Sequence, residues 1–215
     1  MEITRRHLMK ALSTSGVGLS TAGCRTLDGT DSTETLTATE TPTSATGWAT
    51  QIPETPPNVS CSAVSRPIAE PIDREGSLAP RAYPGQPPSE LAGQSMVEYV
   101  TAFELAYRQN AEMVANTDMT TDGKPDSYLT RFDISVQSTW VAPGPTNSAV
   151  IRLQYIGSGR IHPGMDFDYI TQYVTYYVSS TRAVRARTTR NDFDGADSLD
   201  PDPWENGNPV ACFEG

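Results

Sequence analysis

The 215-residue sequence has few of the residues on which metal chemistry and catalysis most often depend. It contains two histidines, His7 and His162, and two lysines, Lys10 and Lys124. A metal site built from several histidines is therefore excluded. The sequence also lacks a glycine-rich phosphate-binding loop and a G-x-S-x-G nucleophile motif. No apolar run approaches the roughly 20 residues that a membrane-spanning helix requires.

The N-terminal segment has the pattern of an export signal that ends in a lipid-attachment cysteine. Arg5 and Arg6 precede a weakly apolar run at 11–19, and small residues then lead into Cys24. The run is too short and too polar for a membrane span, so it favours a cleaved signal peptide at 1–23. This pattern predicts twin-arginine export, lipidation of Cys24 and a location on the outer face of the cytoplasmic membrane.

Acidic residues dominate the charge. The formal charge is −10, and removal of 1–23 takes away one acidic and three basic side chains, which makes it −12. Such a chain repels phosphates, so nucleic acid is not an expected partner. The acidic, lysine-poor composition is similar to that of haloarchaeal proteins. In molar salt, charges are screened beyond about 3 Å. The acidic charge is therefore expected to keep the protein soluble rather than to attract partners from a distance.

The segment 24–59 is rich in threonine, serine, proline and glutamate. Scattered single apolar residues cannot offset the entropy lost on ordering, so the segment is predicted to be a disordered tether. A single domain is predicted over 60–215. Asn58 begins an Asn-Val-Ser sequence that fits the glycosylation sequon, although a motif this short also occurs by chance.

A helix is predicted from 96 to about 115. Ser95 and Glu98 have the spacing of a capping box at its start. Apolar residues follow at helical spacing on one stripe, namely Met96, Val100, Phe103, Tyr107 and Val114. Polar residues fall largely elsewhere, namely Glu98, Thr101, Glu104, Arg108 and Glu112.

Four strands are predicted after the helix, at 132–140, 149–156, 167–178 and 181–188. The expected fold is α+β, with one amphipathic helix packed on a curved four-stranded antiparallel sheet. This arrangement is similar to cystatin-like or NTF2-like cones by analogy.

The last two predicted strands raise a question of register. A three-residue loop from Ser179 to Thr181 would place four side chains on one face, namely Tyr173, Tyr177, Arg185 and Arg187. A two-residue loop would turn the last strand over, because side chains alternate with a period of two. The three-residue loop predicts an aromatic and arginine face, which is either a ligand surface or a solvated face of the sheet.

One segment resembles a calcium-binding loop. Its oxygen ligands would come from positions 1, 3, 5 and 9, namely Asp118, Thr120, Asp122 and Asp126, with Gly123 at position 6. Position 12 is Leu129, where a bidentate glutamate belongs. The segment is therefore either a weak calcium site or a polar turn before the first strand.

The cysteines predict a disulfide. If Cys24 carries lipid, only Cys61 and Cys212 remain, and an exported protein folds in an oxidising compartment. They bracket the predicted domain. Neither has a basic sequence neighbour that would activate a catalytic thiol, so a Cys61–Cys212 bridge is expected.

Several motifs together resemble a group of haloarchaeal lipoproteins exported by the twin-arginine route, whose function is unassigned. They are the twin arginine and TAGC box, Tyr83-Pro84, VEYVTAFELAYRQN at 97–110, YYVSSTRAVRA at 176–186 and Pro201-Asp202-Pro203 near a terminal cysteine. The resemblance implies the exported location and the α+β fold, and it assigns no active-site residue.

Two functional hypotheses remain. The first is a membrane-anchored, non-enzymatic domain that binds an unknown ligand or cell-surface protein, or has a structural role. The alternative is a small hydrolase or isomerase that uses a pocket in the cone of the sheet, with Asp, Glu, Tyr or His162 as its acid–base group. A cavity between sheet and helix would favour the alternative.

Overall fold

The structure is a computed structural model that describes residues 43–44, 47–119 and 125–213. One helix, α1, spans Gly93–Ala115. The strands are β1 (Thr43–Ser44), β2 (Asp118–Met119), β3 (Pro125–Gly144), β4 (Ser148–His162), β5 (Met165–Asp168), β6 (Gln172–Ser179), β7 (Arg182–Thr189) and β8 (Asn208–Cys212). Single 3-10 turns lie at Trp48–Gln51 and Cys61–Ala63.

The helix confirms the predicted span and begins three residues earlier. Gly93 starts it with a φ of +66°, in the left-handed region that glycine adopts without strain. Ala92 is the N-cap residue and provides no side-chain cap. Ser95 lies inside the first turn, where its Oγ donates to the carbonyl of Ala92 at 3.3 Å. The predicted capping box is therefore wrong.

The sheet confirms the α+β class, but the predicted number of four strands is wrong. Its main path runs β1-β3-β4-β6-β7-β8, with β2 beside β3 and β5 beside β4. The predicted strand at 167–178 divides at 169–171. Its first part belongs to β5, which pairs with the C-terminal half of β4, and its second part belongs to β6, which pairs with the N-terminal half of β4. The prediction also missed β8, which pairs with β7.

The sheet curls strongly into a half-barrel. Two register shifts interrupt the pairing of β3 with β4, one between Leu129 and Arg131 and one between Val136 and Ser138. Bulges of this kind bend a strand and increase its twist. The curl gives the sheet a concave inner face, on which α1 packs, and a convex outer face.

The inner face and α1 enclose the main hydrophobic core. Met96, Val100 and Phe103 of α1 are fully buried there, as the predicted apolar stripe requires. The sheet contributes residues from its central strands, including Ile151, Leu153, Tyr155, Val174, Tyr176 and Val178.

An extended arm at 62–92, with six prolines, lies along α1. Proline removes backbone donors and prevents regular pairing, so the arm needs other partners. Two helix side chains supply them: Asn110 bonds to both the amide and the carbonyl of Arg81, and Gln109 bonds to the carbonyl of Ala79 and to Arg81 Nε. Helix side chains thus take the place of a neighbouring strand.

The outer face is covered by two irregular segments, the strap (residues 47–59) and the cover loop (residues 190–207). The Trp48 side chain in the strap is 1% exposed. Trp204 of the cover loop donates its Nε1 to the carbonyl of Thr55 at 2.7 Å. Together with the sheet these segments form a second core of Trp48, Ala142, Val150, Tyr177, Val184 and Leu199.

The packed domain therefore extends further toward the N terminus than the sequence predicts. The composition of 24–59 indicates a tether, yet its last part is the strap. One buried tryptophan and a few backbone contacts suffice to fix it on an existing surface. Of the rest, only β1 is described, and it pairs in parallel with β3.

The disulfide between Cys61 and Cys212 is present, and the two Cα atoms lie 5.8 Å apart. It joins the 3-10 turn after the strap to β8, and the amide of Ser65 also donates to the carbonyl of Pro209. The bridge ties the start of the arm to the last strand.

Replacing both cysteines with serine should lower the free energy of unfolding by about 5 kcal/mol. The bridge closes a loop with a sequence separation of 151 residues, and the chain-entropy model gives this size for such a loop. Urea unfolding of the Cys61→Ser, Cys212→Ser chain measures the change. Reduction of the unmodified chain is the matched control and should give the same loss. A loss below about 1 kcal/mol in both would contradict the prediction.

Candidate functional site

A buried ion pair lies at the centre of the interface between α1 and the inner face. Glu104 of α1 is 0% exposed. Arg185 of β7 donates to it twice, from Nε to Oε2 and from Nη2 to Oε1, both at 2.7 Å. Tyr155 of β4 donates to Oε1 at 2.5 Å, and Tyr176 of β6 donates to Oε2 at 2.8 Å. Four charge-assisted hydrogen bonds thus satisfy both carboxylate oxygens.

Further side chains of α1 extend this cluster. The Arg185 guanidinium lies over the ring of Tyr107, with 4.2 Å between its central carbon and the ring centroid. One turn further along, Arg108 lies 5.0 Å from the centroid of Tyr169 and donates to Glu112 at 3.1 Å. The polar side of α1 is therefore packed as well. The sequence missed this, because Glu and Arg at helical spacing are typical of a solvated face.

Burial by itself raises the pKa of the Glu104 carboxyl. The charge of Arg185 and the hydrogen bonds from Arg185, Tyr155 and Tyr176 outweigh burial, so the pKa is lowered. Burial, and next the negative charge of Glu104, raise the pKa of both tyrosines well above the ordinary value. The cluster therefore holds one ionised carboxylate, one guanidinium and two neutral phenols at neutral pH.

The cone of the sheet is occupied by this cluster and the surrounding core. Phe103 packs edge-on against Tyr176 at 5.9 Å between ring centroids, and Met96 and Val100 are 0% exposed. The alternative hypothesis of a hydrolase or isomerase requires a pocket here, and among the described residues this region is packed with buried side chains. Both oxygens of the Glu104 carboxylate are bonded inside the core.

The predicted ligand face of Tyr173, Tyr177, Arg185 and Arg187 is wrong. Tyr176 pairs with Arg185 and Val174 with Arg187, which leaves Ser180 and Thr181 as a two-residue loop. The arginines therefore share the inner face with Tyr176, while Tyr173 and Tyr177 lie on the outer face. A shift of one residue in register separates the four side chains.

The other predicted site residues fall in different places. Of the calcium loop, Thr120 and Asp122 lie outside the described residues, and Asp126 is exposed. Among the described residues no group of three or more His, Cys, Asp or Glu could hold a metal ion. The calcium site stays a prediction.

Asn58 and His162 are exposed, whereas Glu104 and Arg185 are buried. Cys24 lies outside the described residues, and Asn58 is exposed near the end of the strap. His162 is exposed at the end of β4 and stacks on Tyr128, with 4.7 Å between ring centroids.

An apolar groove of about 650 Å³ is open on the surface between the arm and the C-terminal end of α1. Its walls include Ile68 and Ile72 from the arm and Met113 and Val114 from the helix. Ile68 is 75% exposed and Val114 57% exposed, which is unusual for large apolar side chains. The charged residues that line it, among those the structure describes, lie along the arm, namely Glu70, Asp73 and Arg74.

A smaller depression of about 400 Å³ lies over β3 and β4. Two exposed carboxylates, Asp133 and Asp168, line it beside Ser135 and Ser158. The depression is smaller and less apolar than the groove. The groove is therefore the better candidate for a binding site.

Replacing Glu104 with Gln should destabilise the fold by about 3–5 kcal/mol at neutral pH. Arg185 would remain buried without its counter-charge. Because the folded pKa of Glu104 is lowered, its contribution is present above the unfolded pKa of about 4.3 and is lost as the pH falls through the folded pKa. Urea unfolding from pH 7 to pH 2 measures the difference between the two proteins, which should shrink toward the acid end.

The double variant Glu104→Leu, Arg185→Met is the control for this prediction. It removes both charges and, combined with Tyr155→Phe and Tyr176→Phe so that no phenol is left without an acceptor, should recover most of the lost stability, since apolar groups can replace a buried ion pair. A single variant as stable as the unmodified chain, or a difference that grows toward low pH, would contradict the role of the ion pair.

Within the described residues, no helix has the length and apolar character required to cross a membrane. Comparison with protein-family models, with curated proteins and with solved structures gives no match to this chain.

Proposed function

We propose that this protein is a lipoprotein, anchored at the outer face of the cytoplasmic membrane through Cys24, whose domain binds a small apolar ligand without catalysis. The observation that carries the binding role is the open apolar groove between the arm and α1, beside an interior that is filled. The proposed location depends on the sequence of residues 1–24. The analogy to cystatin-like and NTF2-like cones remains a prediction about the fold.

The groove has the properties of a small-molecule site. Its volume of about 650 Å³ lies within the range of pockets that hold drug-sized ligands. A ligand that covers the apolar side chains on both walls removes them from water. This burial stabilises the complex by about 25 cal/mol per Å² of apolar surface. Two acidic residues and one basic residue on the arm disfavour an anionic ligand. We therefore infer a neutral or cationic molecule with a largely apolar body.

The groove is also held in shape before a ligand arrives. Arg81 of the arm is bonded to Gln109 and Asn110 of α1, and Leu78 donates its amide to the carbonyl of Leu129 in β3 at 2.9 Å. At the helix end, Thr117 Oγ1 donates to the carbonyl of Met113 at 2.6 Å. These bonds hold the arm next to the groove against α1 and β3, which reduces the ordering cost of binding.

Ile68→Asp should weaken the binding of the neutral fluorescent probe N-phenyl-1-naphthylamine by roughly tenfold or more. The substitution removes an apolar side chain worth about 1.5–3 kcal/mol when buried, and 1.4 kcal/mol is a factor of ten. Fluorescence titration of the full chain measures the Kd. The matched control is Ile170→Asp, because Ile170 is 53% exposed and does not line the groove. Equal Kd values for both variants, or no saturable binding by the unmodified chain, would refute the groove as the site.

Cys24→Ser should release the protein into the medium or leave its precursor unprocessed. Lipid on Cys24 is the proposed anchor, and stable attachment requires two acyl chains. Fractionation of haloarchaeal cells that express the chain measures membrane retention. The Ile170→Asp chain changes only an exposed side chain and keeps Cys24, so it should stay with the membrane. Undiminished retention of the Cys24→Ser protein would contradict the anchor.

A further inference from the structure

Three buried polar groups without partners lie together on the outer face beneath the strap. They belong to Trp48 of the strap, Arg152 of β4 and Thr175 of β6, which we name the Arg152 cluster. Trp48 and Arg152 are 1% exposed and Thr175 is 0% exposed. In the described residues, Trp48 Nε1, Arg152 Nε and Thr175 Oγ1 have no hydrogen-bond partner. Buried polar atoms are nearly always bonded, so three such atoms in one place require an explanation.

The register and the ring contacts bring these groups together. Arg152 and Thr175 are direct partners across β4 and β6, and such neighbours have Cβ atoms about 4.5–5.5 Å apart. The Arg152 guanidinium lies over the ring of Trp48, with 4.8 Å between its central carbon and the ring centroid. It lies 5.5 Å from the centroid of Phe193 in the cover loop. The strap and the cover loop therefore enclose the cation with aromatic rings.

The protein satisfies only part of the Arg152 guanidinium. Nη1 donates to the carbonyl of Ala196 at 3.3 Å, and Nη2 donates to the carbonyl of Ser198 at 2.6 Å. Its Nε, the indole N–H of Trp48 and the hydroxyl of Thr175 remain as three donors. A group that accepts hydrogen bonds from all three would complete the cluster.

The charge of Arg152 is also not fully balanced. Among the described residues, no carboxylate lies within ion-pair distance of it. The carboxylate of Asp200 attracts it from further away, while its Oδ2 accepts the amide of Asp194. Burial lowers the pKa of Arg152 to about 10, so the guanidinium is still charged at neutral pH. A buried charge of this kind requires a counter-charge.

We propose that the Arg152 cluster binds one chloride-sized monovalent anion. An anion accepts hydrogen bonds from the three free donors and supplies the missing negative charge. A water molecule would satisfy the donors but not the charge. A bound anion also joins the strap to β4 and β6, so that the attachment of the strap depends on the anion. This inference is independent of the groove and of the anchor.

Crystals of the full chain grown in sodium bromide test the site directly. Bromide replaces chloride and gives an anomalous signal that a water molecule does not. The expected result is one anomalous peak within hydrogen-bond distance of Trp48 Nε1, Arg152 Nε and Thr175 Oγ1. Density there without an anomalous signal, or no density, would overturn the proposal.

Unfolding in solution provides the second test. At constant sodium concentration, chloride is exchanged stepwise for gluconate, a much larger anion. Above the Kd, each tenfold rise in chloride should raise the folding equilibrium constant by roughly tenfold, since the anion binds only the folded state. Thr175→Val keeps the shape of the side chain and removes one donor, so it should raise the chloride concentration at which this dependence begins by severalfold.

Tyr169→Phe is the matched control for the solution test. It removes a phenol hydroxyl from another part of the domain, where Tyr169 lies beside Arg108 on the side of α1. This variant should keep the full dependence on chloride. The same chloride dependence in Thr175→Val as in the unmodified chain and in Tyr169→Phe would overturn the proposal, as would the absence of any dependence.

Discussion

The contact between Glu104 and Arg185 is the constraint on which the arrangement of helix and sheet depends. Both charges are removed from water, which is costly, and only a bidentate pair with two further phenol donors offsets this cost. A shift of α1 by one turn, or of β7 by one residue, would leave both charges buried and unpaired. The pair therefore selects one position of the helix on the sheet, whereas the surrounding apolar side chains would tolerate several.

The curled sheet also needs cover on both faces, and irregular segments supply most of it. On the inner side, the arm takes its backbone partners from Gln109 and Asn110 of the helix. On the outer side, the strap and the cover loop hold each other through Trp204 and Thr55. The disulfide then fixes the junction of strap and arm to β8. Segments with little regular structure are ordered here because helix, sheet and disulfide each provide fixed points.

This arrangement decides where function can reside. In the described residues, the middle of the domain is packed with a satisfied ion pair and aromatic rings. The groove offers open apolar surface on a frame that is already bonded in place. The Arg152 cluster lies on the opposite face of the sheet, beneath the strap and the cover loop. The proposed ligand binding and the proposed anion-dependent attachment of the strap therefore belong to different faces of the sheet.

The sequence alone was sufficient for the features that local chemistry decides. The spacing of Met96, Val100 and Phe103 predicted the helix because a helical period places these side chains on one stripe. Alternation predicted the positions of the central strands, and the cysteine count together with the predicted compartment predicted the Cys61–Cys212 bridge. The export signal and Cys24 remain predictions from sequence.

Only the tertiary structure decided which polar residues are buried and what they contact. From its local sequence, Glu104 has the position of a solvated helix residue. It is buried because Arg185, 81 residues further along the chain, lies opposite it, and a local sequence pattern does not include so distant a partner. The register of β6 and β7 depends on a single residue in their loop, yet it moves both arginines to the inner face. Composition assigned Trp48 to a tether, because the surface that buries it is built by strands and loops far along the chain. Burial is a property of the assembled fold, so local sequence could not specify it.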